Sequence, residues 1–287
     1  MNNPLERVNE TQILLAPTLA WFAVFLIGPL AVIVVYSFLT YQSFDVVWDF
    51  TTAPYMDAVF TSSTLSVFVQ TMAKAFATTV LALILAYPVA YYLRFHMSQN
   101  AGIFFLTFMV IVFYTSLVIR AVAWFAVLGR LGVVNQTLIA VGVIEEPLSW
   151  LLFSPFAEIV AFLENLIVFM IAAIYISLSR IDEDLLDASE TLRGNPIQTF
   201  RHVVWPLSLP GVAIGSIFVF VVAAGDFLIP QILGGGEASV TSVIFSWISP
   251  SLNYPRAAAV SIVLLITIFA PVYVLLQVVD ITEISDM

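Results

Sequence analysis

Cysteine is absent from this 287-residue chain, lysine occurs once, at position 74, and charged residues make up only 10%. The first absence removes disulfides, thiolate metal sites and cysteine nucleophiles from consideration. Two histidines remain, His96 and His202, each in a connecting stretch; two isolated imidazoles do not make a metal centre and are read as solvated or headgroup-facing. The scarcity of lysine, with a formal net charge of −10, excludes a nucleic-acid surface, which needs clustered Lys and Arg. It also excludes a nucleotide-phosphate loop. That loop needs Gly-Lys-Ser/Thr, and Lys74 sits in Gln70-Thr-Met-Ala-Lys-Ala75 with no glycine beside it. No cofactor is therefore expected on this chain. Soluble domains carry about 25% charged residues; a chain that is 61% hydrophobic with a mean hydropathy of +1.05 belongs in a bilayer.

A helix needs about 20 apolar residues to cross the hydrocarbon core. Six segments meet that length: 13–39, 66–93, 102–128, 156–178, 207–233 and 256–279. The chain is accordingly expected to be an all-α integral membrane protein of about six transmembrane helices, a single transmembrane domain over 1–287. The N-terminal ten residues are too acidic for a signal-peptide leader, and the first apolar run is longer than a signal core, so it is read as a retained span. Basic residues in short loops set orientation. With both termini in the cytoplasm, the inner segments hold Arg7, Arg94, Arg180, Arg193 and Arg201, against Arg120, Arg130 and Arg256 towards the other side. Residues 129–155, half apolar and glycine-containing, read as a re-entrant or interfacial hairpin.

The stretch 180–206 is a polar insert between two apolar spans. Asp182, Glu183 and Asp184 place negative charge where a helix N-terminus favours it. Leu185, Ala188, Ser189 and Leu192 recur at i, i+3, i+4 and i+7, giving one small-to-apolar face. Gly194 suits the left-handed cap that ends this helix, and Asn195-Pro196 suits the N-cap and first position of the next, which is expected to stop before Pro206. The product is a cytoplasmic helix-turn-helix.

This insert resembles the EAA motif of ABC importer permeases. Asp187-Ala188-Ser189 stands for Glu-Ala-Ala, and Val204-Trp205-Pro206 and Leu209-Pro210 stand near the motif's end. The family's glycine falls at Arg193, with Gly194 one position later. Further stretches are similar to the spermidine/putrescine permease branch: Tyr114-Thr-Ser-Leu-Val-Ile-Arg120, Gly132-Val-Val-Asn135, Gly142-Val-Ile-Glu-Glu-Pro147, Phe153-Ser-Pro155 and Gln198-Thr-Phe200. The resemblance implies the permease subunit of a type I ABC importer in a bacterial or archaeal plasma membrane. Its implied partners are a cytoplasmic ABC ATPase dimer that binds ATP and Mg, a second permease subunit (in this branch a paralogue) and an extracytoplasmic solute-binding protein, besides membrane lipid. The ATPase-coupling residues would be Asp187, Ala188, Ser189, Glu190, Arg193, Gly194, Asn195 and Pro196. The implied solute is a small cation such as spermidine or putrescine; opines, amino acid derivatives and other amines are carried by related permeases.

Four ionisable residues are counted inside the expected spans: Lys74, Arg120, Glu164 and Asp226. Each costs about 2.5 to 3.5 kcal/mol or more at mid-bilayer unless it faces a cavity or a partner. Two readings stay open. Glu164 and Asp226 line a vestibule for a cation, with Tyr114, Trp124 and Phe227 offering cation–π contact; or the four charges neutralise one another as structural pairs. An ion-coupled secondary transporter would use such carboxylates without an ATPase, but the large insert and the lack of visible inverted repeats count against it. An intramembrane enzyme would need a nucleophile with its base, or metal ligands, at membrane depth, and no histidine lies in a span.

Overall fold

The computed structural model describes residues 15–191, 195–235, 239–249 and 251–278, without the side chains of Glu183, Asp187, Ala188 and Glu190. Helix is the rule because a bilayer offers no water to satisfy free backbone groups. Six helical stretches, Leu15–Tyr36, Ser62–Phe95, Leu117–Ala140, Pro155–Ser179, Pro196–Gly225 and Tyr254–Gln277, are long and apolar enough to cross a membrane. The helices are α1 (Leu15–Tyr36), α2 (Ser62–Phe95), α3 (Gln99–Phe113), α4 (Leu117–Leu128), α5 (Val133–Ala140), α6 (Pro155–Ser179), α7 (Glu183–Thr191), α8 (Pro196–Gly225), α9 (Leu228–Leu233), α10 (Val240–Ile248) and α11 (Tyr254–Val278). With 34 residues, α2 is about 51 Å long at 1.5 Å per residue, well beyond a hydrocarbon core of about 30 Å.

The chain divides into two compact units, Met1–Leu65 with Val243–Ile266, and Ser66–Ser242 with Thr267–Met287. The first contains the one departure from helix among the described residues, an antiparallel hairpin of β1 (Leu39–Gln42) and β2 (Asp45–Phe50) with Gln42 opposite Asp45. Its two-residue turn, Ser43-Phe44, has φ of +52° and +64°, as a type I′ turn requires. The hairpin is tied down where the Tyr41 hydroxyl donates to the Ser251 carbonyl. Arg256 pairs with Asp57 at 3.0 Å and lies 4.9 Å over the Trp247 ring.

The second unit is built on α6, where Leu166, Met170, Ile171, Ile174 and Leu178 are fully buried. Lipid tails are as apolar as leucine, so helix association inside a membrane relies on close approach of small residues. The α6–α8 seam follows that rule. A Cβ on Gly211 would sit 2.5 Å from the Ala173 carbonyl oxygen and 2.6 Å from Ser177 Cβ, and one on Gly215 would sit 2.6 Å from Met170 Sδ. The Ser177 hydroxyl adds a bond to the Leu207 carbonyl at 3.1 Å.

Three expected helix bounds change, one being the span expected over 207–233, which ends at Gly225 because Asp226 is extended, with α9 restarting at Leu228. The span expected over 102–128 is broken at Tyr114-Thr115-Ser116. The N–H groups of Tyr114 and Thr115 bond three residues back, to Ile111 and Val112, which tightens and ends α3, and α4 restarts with the Arg120 N–H on the Ser116 carbonyl. Hydroxyl side chains favour such ends over helix interiors. Pro206 does not stop the helix that begins at Pro196. The chain stays helical to Gly225 because a π turn, Phe200–Val204, shifts the hydrogen-bond register immediately before the proline, with the Trp205 N–H reaching the Phe200 carbonyl.

Candidate functional site

Charged side chains of this apolar unit meet across its helices. Lys74 on α2 projects to α6 and pairs at 2.7 Å with Glu158, which is fully buried. Glu158 lies in the first turn of α6, fixed there by Ser154 as N-cap and Pro155 at the first position; the Ser154 hydroxyl accepts from the Ala157 N–H at 3.3 Å. The chain after α9 packs against the same carboxylate at Gly234. Its neighbour Gly235 has φ +62° and no room for a Cβ over Phe153. Phe153 is itself left-handed, with φ +57°.

Two turns deeper in α6, Glu164 and Asn165 meet Arg120 of α4. One guanidinium nitrogen lies 3.2 Å from Glu164 and the other donates to Asn165 Oδ1 at 2.5 Å. The guanidinium carbon also sits 5.3 Å over the Phe113 ring, within the range of a cation–π contact. Glu164 keeps 34% of its side chain exposed, against 12% for Arg120.

Asp226 ends α8 and starts α9. Its Oδ1 accepts the Ile229 N–H at 2.8 Å, and its carbonyl accepts the Thr241 hydroxyl at 2.8 Å. Among the described residues no Lys or Arg pairs with it. Tyr114 is 82% exposed at the α3–α4 break, while Trp124, one turn beyond Arg120, and Phe227, next to Asp226, are half-buried.

Both counted bases are therefore neutralised, Arg120 by Glu164 and Lys74 by Glu158 rather than by Glu164 or Asp226. Glu158 is a fifth ionisable residue of the expected spans, beyond the four that the sequence reading names. It falls inside the expected span 156–178, and an acid two residues into a long apolar run was the available signal. With it included, and Arg256 left aside as the terminal residue of its span, the expected spans hold three acids and two bases, an excess of one negative charge.

The stretch Gly132–Asn135 gains a structural reason. Asn135 is fully buried; its amide donates to the Gly129 and Leu148 carbonyls at 3.0 and 3.2 Å and its Oδ1 accepts from the Leu148 N–H at 2.8 Å. It thereby staples the loop between α4 and α6 into one piece.

In the polar insert, α7 meets the start of α8 through a 2.8 Å bond between the Ser189 and Thr199 hydroxyls. Asn195 and Gln198 form a reciprocal capping box, with side chain-to-backbone bonds of 2.8 and 3.0 Å, ahead of Pro196 at the first position. Such a box satisfies two donors that a helix start leaves orphaned. Arg193 and Gly194, and the side chains of Asp187, Ala188 and Glu190, lie outside the described residues. At its entry the insert is held by Arg94 of α2, which donates to the Ile181 carbonyl at 3.2 Å.

Residues 79–281 match the family model described as "Binding-protein-dependent transport system inner membrane component". The chain is 32% identical over 269 residues to the inner membrane ABC transporter permease protein YdcU of Escherichia coli (strain K12), with 89% of this chain and 85% of that protein covered. It is 28% identical over 264 residues to the spermidine/putrescine transport system permease protein PotB of Haemophilus influenzae, covering 91% and 90%. Its fold is similar to a chain of a bacterial ABC transporter involved in the import of the acidic polysaccharide alginate, with a TM-score of 0.71, 15% identity and coverage of 97% and 99%.

Proposed function

The chain belongs to the binding-protein-dependent transport system inner membrane components and is the permease subunit of an ABC importer; from that premise we propose that it forms half of the path for a small organic cation of the polyamine class. The observation that carries the cation is Asp226. With Lys74 held by Glu158 and Arg120 by Glu164, Asp226 is left without a basic partner among the described residues. A half-buried carboxylate without a counter-charge favours an incoming ammonium. Phe227, next to Asp226 in the chain, is an aromatic candidate for the same group, with Tyr114 and Trp124 as candidates elsewhere on the path, and the match to relatives named for spermidine and putrescine supports the class.

In this reading the insert formed by α7 and the start of α8 is the cytoplasmic foothold of a separate ABC ATPase, which binds the ATP and Mg. Asp187, Ala188, Ser189, Glu190, Arg193, Gly194, Asn195 and Pro196 form the coupling surface. A second permease subunit completes the path, and an extracytoplasmic solute-binding protein delivers the solute. Both termini lie in the cytoplasm.

The test is reconstitution with the ATPase, the partner permease and the binding protein in proteoliposomes, with spermidine as the probe. Asp226→Asn is expected to lower uptake about tenfold, the loss of one charge contact, with assembly intact. Ala188→Trp is expected to leave hydrolysis running without uptake. Uptake by Asp226→Asn at the level of the unmodified complex removes Asp226 from the path; normal coupling in Ala188→Trp removes the insert from the ATPase interface.

A further inference from the structure

The exit of the insert is packed differently from its entry. The π turn Phe200–Val204 lies where α8 enters the bundle, and around it four side chains close. The Phe200 ring meets Tyr87 edge-on at 5.7 Å, Trp205 at 6.2 Å and Tyr91 at 6.3 Å. Tyr87 also meets Trp205 at 5.4 Å. These separations are those of interacting rings. Below them Ser208, fully buried, donates its only proton to the Trp205 carbonyl at 2.9 Å. The Tyr87 hydroxyl must then be the donor across its 2.9 Å contact with Ser208. The hydrogen bonds run one way, from α2 into the backbone of α8.

The partners on α2 are placed by helical spacing. Tyr87, Tyr91 and Arg94 recur at i, i+4 and i+7, one face of the helix. Through Arg94 that face holds the entry of the insert at the Ile181 carbonyl, and through the two tyrosines it holds the exit. Pro88 lies beside them inside α2, where its missing N–H removes one rung of the ladder. The same helix carries Lys74, about 20 Å further along at 1.5 Å per residue, and so reaches the ion pair with Glu158. π turns concentrate at functional sites; of the three among the described residues, Ala23–Ile27, Tyr55–Val59 and Phe200–Val204, this one sits where the insert, α2 and α8 meet through aromatic rings.

We propose that the π turn Phe200–Val204, with Tyr87, Tyr91, Trp205 and Ser208, is a rigid elbow that carries movement of the cytoplasmic insert into α2 and thence to the Lys74–Glu158 pair. The inference rests on the reading of the insert as the ATPase foothold. Phe200 is a positioning residue in it: it touches no solute, and its ring fixes the angle between the foothold and the membrane helices.

The absence of cysteine makes the test direct. Spin labels on Val69→Cys of α2 and Ile197→Cys of the insert, 69% and 76% exposed, report one distance in the full chain in nanodiscs. A narrow distribution is expected in the otherwise unmodified chain, a broad one in Phe200→Ala and a narrow one again in Phe200→Tyr. Tyr87→Phe, which removes a hydroxyl and no ring, is expected to broaden it less. A distribution as narrow in Phe200→Ala as in its parent, or broad already in the parent, overturns the elbow; if Phe200→Ala does not fold, an unchanged distribution in Tyr87→Phe does so. In the reconstituted complex, Phe200→Ala is expected to cut spermidine uptake per ATP about tenfold, within the span of measured coupling energies, while hydrolysis continues; a proportionate fall in both would mean a merely structural ring. No spermidine uptake by the unmodified complex, or normal coupling in Ala188→Trp, refutes the underlying functional reading instead, and the distance measurement still decides the elbow.

Discussion

The Lys74–Glu158 pair allows its energetic weight to be worked out in advance. At 2.7 Å, two unit charges attract by about 6 kcal/mol at an effective dielectric of about 20. Removing both charges from water costs several kcal/mol per ion, so the pair as a whole adds little net stability. The two partners nevertheless depend on each other. Lys74→Met leaves a buried carboxylate and Glu158→Gln leaves a buried ammonium, and each should cost about 3 to 5 kcal/mol. With both charges gone, the double variant should cost less than either single, which makes the coupling energy at least about 3 kcal/mol. The assay is a double-mutant cycle on equilibrium unfolding of the purified chain in mixed micelles. Single costs that add to the double within about 0.5 kcal/mol would refute the reasoning, since independent sites behave that way. The Asp57–Arg256 pair is the internal control. Its side chains are 52% and 33% exposed at a similar 3.0 Å, and a pair of that kind should show a coupling of only about 0.2 to 1 kcal/mol.

Other expectations test the packing around this site. Gly211→Leu should force α6 and α8 apart at the Ala173 carbonyl and cost about 1 to 3 kcal/mol or more; unfolding at the unmodified detergent concentration would remove the small-residue seam. Asn135→Ala withdraws three hydrogen bonds from the α4–α6 loop and leaves buried groups unpaired at about 1 to 3 kcal/mol each. Hydrogen exchange over residues 141–150 should accelerate in that variant, and unchanged protection would show that the loop is held elsewhere.

The apolar runs announce the membrane helices because hydropathy averages over some twenty residues, and no partner is needed to read it. Single-residue events are harder to read. Pro206 looks like a stop because its missing N–H is a local fact, whereas the π turn that absorbs it depends on Phe200, Trp205 and Tyr87 packing together. The break at Tyr114-Thr115-Ser116 is masked by the strongly apolar residues on both sides. Glu158 hides behind the favourable charge it brings to a helix start. Its buried partner Lys74 comes from a helix more than sixty residues away in sequence, and pairing of that range belongs to tertiary packing. The capping box at Asn195 and Gln198 uses contacts within four residues, so its Asn-Pro start is visible in the sequence.

Helix α6 is gripped from several directions at once. Glu158 and Glu164 are six residues apart, which separates them by about 120° around the axis. One faces α2 and the other α4, while Met170, Ala173 and Ser177 face the glycines of α8. Spinning α6 on its own axis would tear all three attachments together, so that motion is closed to it. It can tilt or translate only as a spindle that drags its neighbours along, and any opening of this unit must begin at a boundary that α6 does not touch.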